Sequence, residues 1–90
     1  MAMMILEYKV MPEDVDTNLN KIKEELKNIV KDFEGTINNI KEIPIGFGLK
    51  AISINLSLDE KKGTEGIENK FREIPNVQGI ELITMSRALG

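Results

Sequence analysis

Cysteine and histidine are both absent from this chain. Without cysteine there is no disulfide, no thiolate-built zinc or iron–sulfur site and no thiol nucleophile. Without histidine there is no Ser-His-Asp type triad. Carboxylates could still hold Mg²⁺, but no Asp-x-Asp spacing with supporting ligands marks a site, so no metal or other cofactor is expected. Long apolar runs are missing as well, which excludes a helical membrane span. Met1 to Leu6 is apolar yet lacks the basic leader, long apolar region and cleavage site of a secretory signal, so cytoplasmic residence is expected. Positive charge is in short supply: the net charge is −3 and the pI near 5.0. Nucleic-acid binders draw much of their affinity from phosphate neutralisation by a basic surface. A mildly acidic chain more naturally meets a basic protein.

With 41% hydrophobic and 30% charged residues, the chain has the make-up of an ordinary globular protein. Ninety residues fit a single domain over residues 1–90. Met4 to Met11 reads as a strand, with Met4, Leu6, Tyr8 and Val10 on one face, and Pro12 ends it. Glu13, Asp14 and Asp16 place negative charge where a helix N-terminus favours it. Leu19, Ile22, Leu26, Ile29, Val30 and Phe33 then predict an amphipathic helix from about residue 15 to 32, stopped by Gly35. Thr36 to Ile43 has isoleucines three apart, as a helix would, but its shortness, β-branching and flanking Gly35 and Pro44 favour a strand. Ile52, Ile54, Leu56 and Leu58 alternate with polar residues in a clear strand, with a bulge expected near Lys50 and Ala51. Asp59 to Gly63 is a solvated turn, and Thr64 a candidate cap for a second helix carrying Ile67, Phe71 and Ile74. Val77 to Arg87 closes the chain as a strand.

This order, βαββαβ, predicts an α+β fold of ferredoxin-like type: a four-stranded antiparallel sheet with two helices on one face. Such a frame carries enzymes, RNA readers and regulatory modules alike, so function must come from a site. The segment Glu42-Ile43-Pro44-Ile45-Gly46-Phe47-Gly48-Leu49-Lys50-Ala51-Ile52 is the most informative. Pro44 pushes Ile43 toward extended geometry, and two glycines open backbone angles closed to other residues. Phe47 between them is either an anchor for a partner or a plug folded back over the sheet end. An RNA-recognition reading fails here, because Ile45, Leu49 and Ile52 stand where that motif needs a basic residue and stacking aromatics.

The Pro-Ile-Gly-Phe-Gly run, Lys9-Val10-Met11-Pro12 before acidic residues, and a last strand ending in a basic residue and leucine resemble the guanine-nucleotide exchange domain of translation elongation factor 1-beta. The similarity extends over essentially the whole chain and looks like the compact archaeal form. It implies a guanine nucleotide exchange factor, not an enzyme, promoting GDP release from elongation factor 1-alpha in protein synthesis. It also implies partner contacts at Pro44, Gly46, Phe47, Gly48 and Lys50, and at Met85, Arg87 and Leu89, with Arg87 as the cation inserted near the GTPase's Mg²⁺ and phosphates. The better-known eukaryotic members carry Lys there, and Ala88 intervenes before Leu89. Read from the residue alone, Arg87 is a solvated strand-end charge. No direct contact with nucleic acid or membrane is expected.

The other readings are an acylphosphatase-like hydrolase and a ligand- or protein-binding regulatory module. The first needs a phosphate cradle beside strand one, where Met11-Pro12-Glu13-Asp14 is acidic and repels phosphate. A metal carrier of this fold needs Cys-x-x-Cys. The regulatory module stays open, since a small apolar site leaves little trace in a sequence.

Overall fold

Leu6, Tyr8 and Val10 alternate along the first strand, and all three are fully buried. The computed structural model describes residues 2–89. Its elements are β1 (Ala2–Pro12), α1 (Leu19–Asp32), β2 (Thr36–Gly46), β3 (Leu49–Asp59), a 3₁₀ turn (Glu60–Lys62), α2 (Glu65–Arg72) and β4 (Val77–Leu89). The strands form one antiparallel sheet in the order β2-β3-β1-β4. The fold is thus ferredoxin-like α+β, as the element order implies.

The core lies between the helices and one face of the sheet. Ile22, Leu26 and Val30 of α1 and Ile67 and Phe71 of α2 pack on Leu6, Tyr8, Val10, Ile52, Ile54, Leu56 and Leu58. Apolar side chains at three- and four-residue steps make one helical stripe, and those at two-residue steps make one strand face. Tyr8 meets Phe71 edge-on at 5.5 Å between ring centroids. Its hydroxyl donates to Glu68 Oε2 at 2.7 Å, which satisfies the one polar atom the ring carries inward.

Several boundaries differ from the sequence expectation. The first helix begins at Leu19, not near residue 15. Asp14 Oδ1 accepts from the Asp16 amide at 2.8 Å, and Asn18 Oδ1 accepts from the Lys21 amide at 3.2 Å. Short polar side chains that bond nearby amides compete with helix until one becomes the cap. Glu13, Asp14 and Asp16 therefore lie in a loop and not in the first helical turn. At the other end Glu34, with φ 60°, takes the left-handed position expected of Gly35. Gly35 serves close approach instead: a Cβ there would lie 2.9 Å from the Ser57 carbonyl oxygen.

An irregularity does lie beside Lys50, but its extra residue is Ile45 of β2, opposite Lys50 and Leu49, and not a residue of β3. The others fall at Asn38 of β2 and at Gln78 and Ile83 of β4. These are the two edge strands, where an unpaired outer side tolerates an extra residue that the central β3 cannot absorb. An edge also accepts Pro44, so β2 runs on past Ile43 to Gly46. The turn expected from Asp59 to Gly63 is present as a 3₁₀ turn over Glu60–Lys62 with no buried residue, whereas Thr64 makes no side-chain cap.

Candidate functional site

Gly46 pairs with Leu49, which leaves Phe47-Gly48 as a two-residue hairpin loop between β2 and β3. Phe47 has φ 52° and Gly48 φ 78°. Positive φ at both centres is the requirement of the type I′ turn, whose twist matches that of the strands. Asn-Gly is the usual solution. A phenylalanine in this conformation costs about 1–2 kcal/mol through its Cβ. Its ring is fully exposed, so the plug reading is excluded. A large aromatic held in a disfavoured conformation and left in water breaks two local rules at once, and such breaches concentrate at functional sites.

Beside this tip runs the loop between β1 and α1. A Cβ on Gly48 would sit 3.7 Å from Val15 Cγ1, and Val15 is itself 58% exposed. Pro12, Val15, Leu19, Glu42, Gly48 and Lys50 line much of a cleft of about 330 Å³ between loop and hairpin. Glu42 accepts from Lys23 Nζ at 2.6 Å and lies 4.0 Å from Lys50 Nζ. The hydrogen bond from Lys23 holds its carboxyl below the ordinary range. Pro44 pairs with Lys50 at the root of the hairpin. Val15 and Glu42 are residues that sequence reasoning missed. The only available signal was one apolar residue among Glu13, Asp14, Asp16 and Thr17.

Met85 and Arg87 lie at the other end of the sheet. Met85 is opposite Leu6 and Arg87 opposite Met4, near the start of β1. Met85 is 59% exposed. Arg87 makes a two-pronged ion pair with Glu60 of the 3₁₀ turn: Nε to Oε2 and Nη2 to Oε1, both at 2.8 Å. With Met4 and Ser86 these residues line a hollow of about 240 Å³. Leu89 ends β4; its side chain lies outside the described residues. Met4 and Val10 are six residues apart on β1, or roughly 20 Å at ~3.3 Å per residue. The hairpin tip extends still farther, along a molecule whose long axis is 42 Å. The hairpin residues and the β4 residues therefore lie at opposite poles of the molecule.

Among the described residues no three His, Cys, Asp or Glu gather into a group that could hold a metal ion. Burial raises the Tyr8 phenol far above its ordinary value, and the hydrogen bond to Glu68 adds to the shift. Its ring is fully buried and packs against Phe71 beneath the helices, so it offers no stacking platform. No helix among the described residues is long and apolar enough to cross a membrane. An exposed aromatic at one pole and a paired guanidinium at the other define a binding module on a ferredoxin-like frame.

Residues 5–88 match the family model of the EF-1 guanine nucleotide exchange domain. Elongation factor 1-beta of Methanosarcina barkeri is 38% identical over 80 residues, covering 88% of this chain and 90% of its own. That of Methanocaldococcus jannaschii is 34% identical over 89 residues, covering 98% of this chain and 100% of its own. Among solved structures, the C-terminal domain of the MgtC protein from Mycobacterium tuberculosis superposes with a TM-score of 0.69, over 96% of this chain and 88% of that one. At 10% identity that likeness is one of fold alone. The chain belongs to the EF-1 guanine nucleotide exchange domain family. Its role is guanine nucleotide exchange in translation elongation, and the archaeal relatives accord with an archaeal-type sequence.

Proposed function

We propose that this chain, as one domain spanning residues 1–90, binds elongation factor 1-alpha in the cytoplasm and promotes GDP release without bond-making chemistry of its own. The observation that carries the reading is Phe47, fully exposed at the tip of a strained turn. An aromatic lifted this way suits burial in a partner's pocket, where such rings dominate affinity. Pro44, Gly46, Gly48 and Lys50 shape and flank that anchor. Arg87, with Met85 beside it and Leu89 beyond, brings positive charge toward the Mg²⁺ and phosphates at the opposite pole. With Tyr8 buried and the net charge negative, neither nucleic acid nor membrane is a partner.

Exchange then follows from linkage. A protein that binds the emptied GTPase better than the GDP-bound form must weaken GDP binding by the same factor. A ~1000-fold faster release corresponds to a barrier lower by about 4 kcal/mol. Repulsion between an inserted guanidinium and a divalent cation supplies energy of that order, while burial of Phe47 holds the two proteins together. The test is release of labelled GDP from the cognate elongation factor 1-alpha. Saturating exchange factor is expected to accelerate it by orders of magnitude, and an unaltered rate rejects the reading.

A further inference from the structure

We propose that Glu60 is a positioning residue for exchange, holding the Arg87 guanidinium so that its remaining donor edge faces the partner. This rests on the reading of Arg87 as the inserted cation. A guanidinium has five N–H donors in a fixed plane. Glu60 takes one from Nε and one from Nη2. Of the three left, one on Nη1 and the second on Nη2 form the end-on edge that grips an anionic acceptor in two-pronged fashion, while the other on Nη1 points back along the side chain. Glu60 thus uses the flank of the guanidinium and leaves its end free.

The carboxylate is itself well anchored. Asp59 is fixed in the sheet opposite Met3. Its Oδ1 accepts from the Lys61 amide at 2.9 Å, and the Gly63 amide donates to the Glu60 carbonyl at 3.1 Å. The 3₁₀ turn is closed at both ends, and Glu60 projects from its first position. Arg87 by contrast lies two residues before the end of β4, an edge strand. A long side chain there would otherwise have to be ordered at the moment of binding, and ordering it beforehand lowers that cost. The pair is too exposed, at 64% for Arg87 and 36% for Glu60, to contribute much to folding. Its geometry is therefore better explained by presentation than by stability. Lysine, with a point charge and no fork, could not be held this way.

The experiment compares maximal GDP-release rates and half-saturating concentrations for the full chain, Arg87→Ala, Glu60→Ala, Glu60→Gln and Arg87→Ala/Glu60→Ala. Glu60→Ala is expected to lower the maximal rate by roughly threefold to tenfold, the equivalent of ordering one long side chain. Glu60→Gln keeps one acceptor and falls between it and the parent, and all variants melt together. In the Arg87→Ala background, loss of Glu60 is expected to change nothing, because it acts only through the guanidinium. If Arg87→Ala slows release but Glu60→Ala does not, or speeds it, positioning is wrong while exchange through Arg87 stands. An equal loss from Glu60→Ala in both backgrounds makes Glu60 a direct contact and also overturns the proposal. An unaffected Arg87→Ala removes the premise itself.

Discussion

Phe47 and Tyr8 show how differently two aromatic residues of one small domain are used. Phe47 stands in water with a left-handed backbone that Asn or Gly would adopt more easily. Phe47→Asn is therefore expected to raise stability by about 1 kcal/mol, because the short polar side chain of Asn bonds the nearby backbone and so offsets the cost of a left-handed residue. The same change should weaken binding to the GTPase. A thermal melt read beside a titration with the GTPase checks both, and a variant that loses stability would place the ring in the fold's own packing. Tyr8 is the one tyrosine of the chain. Its phenol is raised in the folded state, so the unfolded chain loses that proton first, near its ordinary value of 10.0. Folded and unfolded forms bind the proton equally below that pH, and stability falls as pH rises above it. Alkaline denaturation should accordingly be shallower in Tyr8→Phe than in the parent. The phenolate absorbance of the parent should appear only together with unfolding.

Boundaries at the scale of elements were set by side-chain hydrogen bonds more than by periodicity. The stripe from Leu19 to Phe33 predicted α1, and its buried members are those of the pattern. Its start was misplaced because an acidic residue near a helix reads alike whether it lies inside the first turn or in an Asx turn before it. Asn18→Ala removes the observed cap and should cost about 1 kcal/mol in a denaturant titration. Gly35→Ala should cost more, because its Cβ would press on the backbone of β3; a melt equal to the parent would show that the two elements can separate freely. A bulge was expected near Lys50 and Ala51, but not that its extra residue would belong to β2, and the other three irregularities were not expected at all. Which strand absorbs an extra residue depends on which strands have a neighbour on only one side, and strand order is not a local property.

For the whole molecule, the two poles matter most. Phe47 follows the far end of β2, and Arg87 pairs beside the first residues of β1, so the proposed function has one partner touched on two separate surfaces. Residues so far apart should act additively. Phe47→Ala should raise the half-saturating concentration with little change in maximal release, and Arg87→Ala should do the reverse. The double variant should lose the product of the two factors within roughly twofold (about 0.4 kcal/mol). A double variant no worse than the poorer single one would mean that the poles are coupled. Ile54→Asp places an unpaired charge in the centre of the core and should unfold the domain, as seen by loss of the cooperative melt.

Periodicity determined most of the elements, because a helix or strand turns one apolar face inward whatever its surroundings; β2 alone needed β-branching and its flanking Gly35 and Pro44 to overrule a helical spacing. The Pro-Ile-Gly-Phe-Gly run likewise marked the hairpin, because its backbone angles are written into its glycines. Only the tertiary structure decided that Phe47 points outward, that Val15 and Glu42 line one cleft with Gly48, and that Arg87 lies against Glu60 at the other pole. Those facts rest on strand order and register, which place residues 27 positions apart in contact and set the hairpin and the end of β4 at opposite poles. No local pattern records such pairings.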